Sequence, residues 1–205
     1  RTGVSPCALS LPAPLAETEP GRDASISSLA GTDLVRKAIE LSSELRVPTI
    51  TVFEYRPREV LPWCNPYQPA PQSVRSEFVD ALGSLASMAE SCDGLLLLEP
   101  INRYESRYVN TLAETVSLAE EVGSKHLAVM ADLFHMSIEE PDMARSIVDA
   151  GAWIRHVHLA DSNRLLPGYG HTDFRAVFRA LKNVGFRGYM SLECYVTGAR
   201  QAELP

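Results

Sequence analysis

Residues 95–99 read LLLLE. Four leucines without polar alternation suit a strand covered on both faces, as in a parallel sheet. The stretches on either side have a helical period. Val74–Glu90 turns Val74, Phe78, Leu82, Leu85 and Met88 to one side, and Val109–Val122 does so through Val109, Leu112, Ala113, Val116 and Ala119, with Gly123 to end it. Further out, the N-terminal side gives a strand at Cys7–Leu11, a helix at Asp33–Arg46 and a β-branched strand at Pro48–Phe53 (PTITVF). The C-terminal side gives a strand at His126–Met130, a helix at Glu139–Ala150 and a strand at Ile154–Leu159. A helix at Asp173–Val184 and a strand at Tyr189–Leu192 follow. Strict alternation of short apolar strands with helices predicts a parallel sheet with crossover helices, either doubly wound or a TIM-type barrel. No GxGxxG follows the first strand and no GxxxxGK[ST] occurs, so nucleotide-binding doubly wound folds lose their usual signature.

The 205 residues suffice for one good-sized core and are read as a single domain over 1–205. Asp plus Glu is 26 against 19 for Lys plus Arg, a net charge of −7, which argues against sequence-blind nucleic-acid binding. No apolar run is long enough to span a bilayer and no signal peptide is read at the N-terminus, so a cytoplasmic protein without a membrane partner is expected. The four cysteines form no CxxC, which disfavours zinc-ribbon and thioredoxin chemistry and fits reduced thiols. The Pro-rich stretch Tyr55–Pro71, with Trp63 and Tyr67, is long enough for a lid or binding loop.

Each of the last four strands ends in a potential hard-metal ligand: Glu99, Asp132, His158 and Glu193, spaced 33, 26 and 35 residues apart, about one strand–helix unit each. In a parallel barrel all strand C-termini share the face where active sites form. Three unpaired carboxylates there would repel one another. A divalent cation relieves this, and an O/O/O/N set suits Mn²⁺, Mg²⁺ or Co²⁺ better than a thiolate metal. Strand-end carboxylates are often only helix caps or surface charges, but that leaves unexplained why Glu99 closes a wholly apolar strand. Three residues stand at short offsets: Glu105 six after Glu99, His135 three after Asp132, and Arg164 six after His158. A His and an Arg beside a metal can bind and polarise substrate oxygens. His156, taken to alternate with His158 across the strand, is expected to point the other way and be structural. The loop Pro167–His171 is expected to be a tight turn, with anion cradling at the following helix as the weaker alternative.

The segments LEPINRYE (98–105), ADLFHMSIEE (131–140), HVHLADSNR (156–164), PGYGHTDF (167–174) and SLE (191–193) resemble motifs of the xylose-isomerase-like TIM barrels of the sugar phosphate isomerase/epimerase group. They are most similar to ketose 3-epimerases of the tagatose/psicose type. The resemblance implies metal ligands at Glu99, Asp132, His158 and Glu193, with Glu99 and Glu193 also as acid and base. It implies substrate-binding groups at Glu105, His135 and Arg164. It further implies a (β/α)8 barrel, in this chain lacking the first two βα units and the last helix, so that the sequence looks truncated. The implied reaction is C3 epimerisation of a ketose through a metal-stabilised cis-enediolate. The implied cofactor is one divalent ion, Mn²⁺ first and Mg²⁺ or Co²⁺ next. The implied partners are a small-molecule sugar or sugar phosphate and a second copy in a dimer or tetramer. The rivals are hydroxypyruvate-type isomerisation or inosose dehydration on the same fold, and an inactive truncated binding protein. A DNA-repair endonuclease of the superfamily is disfavoured by the acidic balance and by only five histidines.

Overall fold

The computed structural model describes residues 3–11, 33–52, 72–106 and 108–196. Six strands form one parallel sheet in sequence order: β1 (Leu9–Leu11), β2 (Thr49–Thr51), β3 (Leu96–Leu98), β4 (Leu127–Asp132), β5 (Ile154–Leu159) and β6 (Tyr189–Leu192). Between them run α1 (Asp33–Leu45), α2 (Gln72–Ser91), α3 (Leu112–Val122), α4 (Leu133–Glu139), α5 (Met143–Ala150) and α6 (Phe174–Asn183). A 3₁₀ turn at Gly151–Trp153 leads into β5. The expected loop Tyr55–Pro71, with Trp63, Cys64 and Tyr67, lies outside the described residues. No helix among the described residues is long and apolar enough to cross a membrane.

Strand pleating explains the leucine run. Leu96 and Leu98 face the helices, in one cluster with Phe78, Leu82 and Leu85 of α2, Leu118 of α3 and Val129 of β4. Leu97 faces the other way, with Ile50, Ala128 and Met130. The strand is therefore buried on both sides, and the next inward position after Leu97 is Glu99. The helix-side core is closely packed: Phe78 is fully buried, with its ring edge-on to Tyr108 at 4.9 Å between centroids. Removing such a ring costs ~3–5 kcal/mol.

Two helix boundaries differ from expectation. Helix α3 starts after Thr111 rather than at Val109, because Thr111 and Glu114 form a reciprocal capping box and Val109 has a left-handed backbone (φ 62°). The helix expected at Glu139–Ala150 is two helices. Helix α4 starts directly at the end of β4, and Pro141 ends it by forcing Glu140 into an extended backbone (φ −95°, ψ 121°). Asp142 then caps α5 by accepting the Arg145 amide at 2.9 Å.

The β4–β5 register jumps, so that Val129 faces Ile154 but Met130 faces His156; Arg155 is an extra, bulged residue. After the bulge, His156 lies beside Met130 and His158 beside Asp132. The expectation that His156 points away from His158 is therefore wrong. Residues two apart on a strand share a face, and the two rings sit edge-on with centroids 5.4 Å apart. Beside the bulge, β6 approaches so closely that a Cβ at Gly188 would collide with the Arg155 carbonyl oxygen.

Candidate metal and substrate site

The C-terminal ends of β3 to β6 bring together all four strand-end residues. Glu99 follows β3 and is fixed by its amide, which donates to the Thr51 carbonyl at 3.0 Å. Asp132 ends β4 and does two things at once. Its Oδ1 accepts the Phe134 amide at 2.7 Å, capping α4, while its Oδ2 has no hydrogen-bond partner. His158 lies opposite on β5. Glu193 follows β6, its amide donating to the Leu159 carbonyl at 3.2 Å. His158 Nδ1 is 3.3 Å from Glu193 Oε2, 3.5 Å from Glu99 Oε1 and 3.7 Å from Asp132 Oδ2. Glu99, Asp132 and His158 are buried, and Glu193 is half-buried.

Electrostatics differ sharply across the cluster. Burial and the repulsion of Asp132 and Glu193, partly offset by His158, push Glu99 up to about 7. Burial opposes charge on His158, but the carboxylates of Asp132, Glu193 and Glu99 outweigh it and push the imidazole up to about 12. Contact with His158 draws Glu193 down to about 2 against the effect of burial. His156, by contrast, is driven down to about 4 by burial and by repulsion from His158, and its Nε2 pairs with Ser191 Oγ at 2.8 Å.

His135, in the first turn of α4, joins the same centre. Glu99, Asp132, His135 and Glu193 can each offer one ligand atom, all within 4.8 Å of one another. The Asn102 amide donates to His135 Nδ1 at 3.1 Å. An amide N–H can only donate, so Nδ1 is the acceptor and a neutral ring carries its proton on Nε2. Burial lowers the His135 pKa and favours that neutral form. The Nε2 atom lies 3.8 Å from Asp132 Oδ2 and so faces the centre.

Arg164 and Glu105 complete the wall. The Arg164 guanidinium reaches Glu105 Oε1 and Glu193 Oε2, each at 3.3 Å, and lies 4.7 Å above the Phe134 ring. Asn102 also donates to Glu105 Oε1 at 2.8 Å. Thus all seven residues singled out in the sequence meet at one place. Asn102 and Phe134 belong with them but were not singled out, although both lie inside the motifs, three residues before Glu105 and one before His135. The loop after β5 is more than a tight turn. Its amides converge on the buried carboxylate of Asp161, which supplies an internal anion where a bound one was the alternative.

The donor chemistry fits a hard divalent ion. Glu99 Oε1, Asp132 Oδ2 and His158 Nδ1 are buried without a hydrogen-bond partner and face one another, an arrangement that is unfavourable unless a cation joins it.

The profile of the family described as xylose isomerase-like TIM barrel matches residues 11–204. This chain belongs to that family. Within the xylose isomerase-like barrels, it is 39% identical over 125 residues to the D-psicose 3-epimerase of Enterocloster bolteae, covering 61% of this chain and 42% of that one. It is 35% identical over 131 residues to the 3-dehydro-D-guloside 4-epimerase of Escherichia coli, covering 62% and 50%. The chain thus spans about half the length of these curated relatives or less. Among solved structures, the 3-keto-D-glucoside 4-epimerase of E. coli superposes with a TM-score of 0.78 at 26% identity, over 98% of this chain and 76% of that one. The D-allulose 3-epimerase of Methylomonas sp. gives 0.71 at 28% identity, over 85% and 62%.

Proposed function

We propose that this chain carries the reaction centre of a metal-dependent sugar epimerase, an isomerase that inverts the carbon beside a ketone, C3 of a ketose in the first instance. The observation that carries this is the convergence of three orphaned donor atoms, on Glu99, Asp132 and His158, with Glu193 completing the ring. In this reading Glu99, Asp132, His158 and Glu193 hold the ion. His158 is chosen over His135 because its Nδ1 has no hydrogen-bond partner and can shed its proton to leave a neutral ring, whereas the Asn102 amide on Nδ1 of His135 fixes the proton of that ring on the nitrogen turned to the centre. A bound divalent ion would polarise the ketone and favour loss of the neighbouring proton.

The chain's own residues do the rest. Glu193, ionised and half-exposed, takes the C3 proton. Glu99, near neutrality, returns one, and the roles exchange with substrate direction. His135 donates its Nε2–H to a substrate oxygen, and Arg164 with Glu105 holds others. A second transfer of the same kind, at C4 of a 3-keto sugar, is favoured by the near-complete superposition with the E. coli 4-epimerase.

The test is solvent deuterium exchange, with Mn²⁺, on a panel of free and phosphorylated ketoses and a 3-keto glucoside. Deuterium should enter C3 of one ketose, or C4 of the 3-keto sugar. Glu193→Gln, with Mn²⁺ occupancy confirmed by EPR, should slow entry by about 10²–10⁴-fold. Unchanged exchange in that variant would overturn the two-glutamate transfer. No exchange with any sugar would overturn the epimerase reading.

A further inference from the structure

We infer that Asp161 is a positioning residue whose carboxylate gathers the backbone of the loop after β5 and so aims the Arg164 guanidinium into the site. What Arg164 does there rests on the epimerase reading; that Asp161 places it does not.

Asp161 is buried, yet no basic side chain neutralises it among its hydrogen-bond partners. Backbone amides do so instead: Ser162 and Thr172 donate to Oδ1 at 2.8 and 3.0 Å, and Gly168 donates to Oδ2 at 2.8 Å. These amides outweigh the effect of burial and hold the carboxyl well below the usual range, so it stays ionised. The loop is shaped for this contact, because a Cβ at Gly170 would run into Oδ1. Ser162 Oγ accepts the His171 amide at 2.8 Å, drawing the far end of the loop to the same point. The helix that follows has its own cap, the Asp173 side chain accepting the Ala176 amide at 3.0 Å. Asp161 therefore organises the loop, not α6.

Arg164 sits inside this knot. Its amide donates to the Asp161 carbonyl at 2.8 Å, and the Asp161 amide donates to the Leu165 carbonyl at 2.9 Å. Its own carbonyl accepts the Tyr195 amide at 2.8 Å, two residues beyond Glu193. Between these ties Arg164 has a left-handed backbone, φ +60°, which a side-chain-bearing residue keeps only when its surroundings impose it. The guanidinium then reaches Glu105 and Glu193 at 3.3 Å. Asp161 acts on that guanidinium only through the main chain.

Asp161→Asn keeps the size of the side chain but turns an acceptor into a donor facing other donors. Four measurements on the full chain decide the matter. The rate at which phenylglyoxal modifies Arg164, mapped by peptide mass spectrometry, should rise at least about threefold as the side chain is released. Mn²⁺ affinity by calorimetry should stay within about twofold, because no proposed ligand is touched. The KM for the sugar should rise at least about fivefold. Asp161→Asn should add less than about threefold to the loss already caused by Arg164→Ala, because two residues acting through one contact are not additive. Gly168→Ala strains a left-handed glycine in open space (φ +99°) and should move the same readouts less, in the same direction. It carries the test if Asp161→Asn does not fold. An unchanged phenylglyoxal rate, or full additivity with Arg164→Ala, would overturn the proposal. If wild type epimerises no sugar, the functional reading falls, and the phenylglyoxal rate still decides the role of Asp161.

Discussion

Two imidazoles stand beside the same carboxylates, and their neighbours give them different work. His158 offers an orphaned nitrogen; His135 offers a proton, because Asn102 occupies its other nitrogen. His158→Gln should therefore weaken Mn²⁺ binding at least about tenfold. His135→Gln should leave binding within about threefold while turnover falls about 10²-fold. Isothermal calorimetry beside turnover assays separates the two, and the reverse pattern would exchange the assignments.

Protonation supplies a second check. In the metal-free site His158 holds a proton with a pKa of about 12 and Glu99 titrates near 7. An ion must displace the His158 proton, while the proton that Glu99 returns to the sugar stays on its second oxygen, so affinity should rise with pH and binding at neutral pH should release about one proton. Calorimetry in buffers of different ionisation enthalpy measures this; zero release would contradict the site. At this scale the sequence was informative where charge and position coincide. Glu99 stands out because a carboxylate ends an apolar strand. Asn102 and Phe134 do not, because a neutral hydrogen bond and a stacking ring leave no mark in spacing. His156 shares the face of His158 because residues two apart on a strand point the same way.

At the scale of elements, strands β5 and β6 lie where hydrophobic pattern places them, and β3 differs by a residue at each end. The bulge at Arg155 left a trace in the sequence: Ile154 and Val157 are three apart yet enter one core with Leu159, which an unbroken strand of period two does not allow. The break at Pro141 was legible in principle, since the residue before proline avoids the helical region. The bulge sets the phase that turns His158 toward Asp132, and the tight approach of Gly188 secures β6 beside it. Gly188→Ala should therefore do more than destabilise. Overpacking against backbone costs ~1–3 kcal/mol, and displacing β6 moves Glu193 with it. Chemical denaturation should show the stability loss, and Mn²⁺ affinity should fall in the same protein. Wild-type affinity in a destabilised variant would show that Glu193 is placed independently of β6.

For the whole molecule, the sheet order β1 to β6 leaves the two end strands each with one paired edge among the described residues. Strand β6 exposes the apolar side chains Tyr189, Met190 and Leu192, and α6 exposes Phe178. Large apolar side chains exposed together template association. The 205-residue chain should self-associate in a concentration-dependent way by sedimentation velocity, and Leu192→Lys should weaken that association at least about tenfold. A monodisperse monomer at ~100 μM would refute this.

The same strand order has a consequence for synthesis. Every strand pairs with the one made just before it, so the sheet can grow as the chain leaves the ribosome, without waiting for a distant partner. The donors arrive in the same sequence: Glu99, then Asp132, then His158, and Glu193 last. A nascent chain ending short of β6 holds an incomplete coordination set and grips a cation weakly. In the proposed site the full set exists only once β6 and Glu193 have been made. The order of the strands thus sets when the proposed site is complete, with Glu193 the last of its donors to be made.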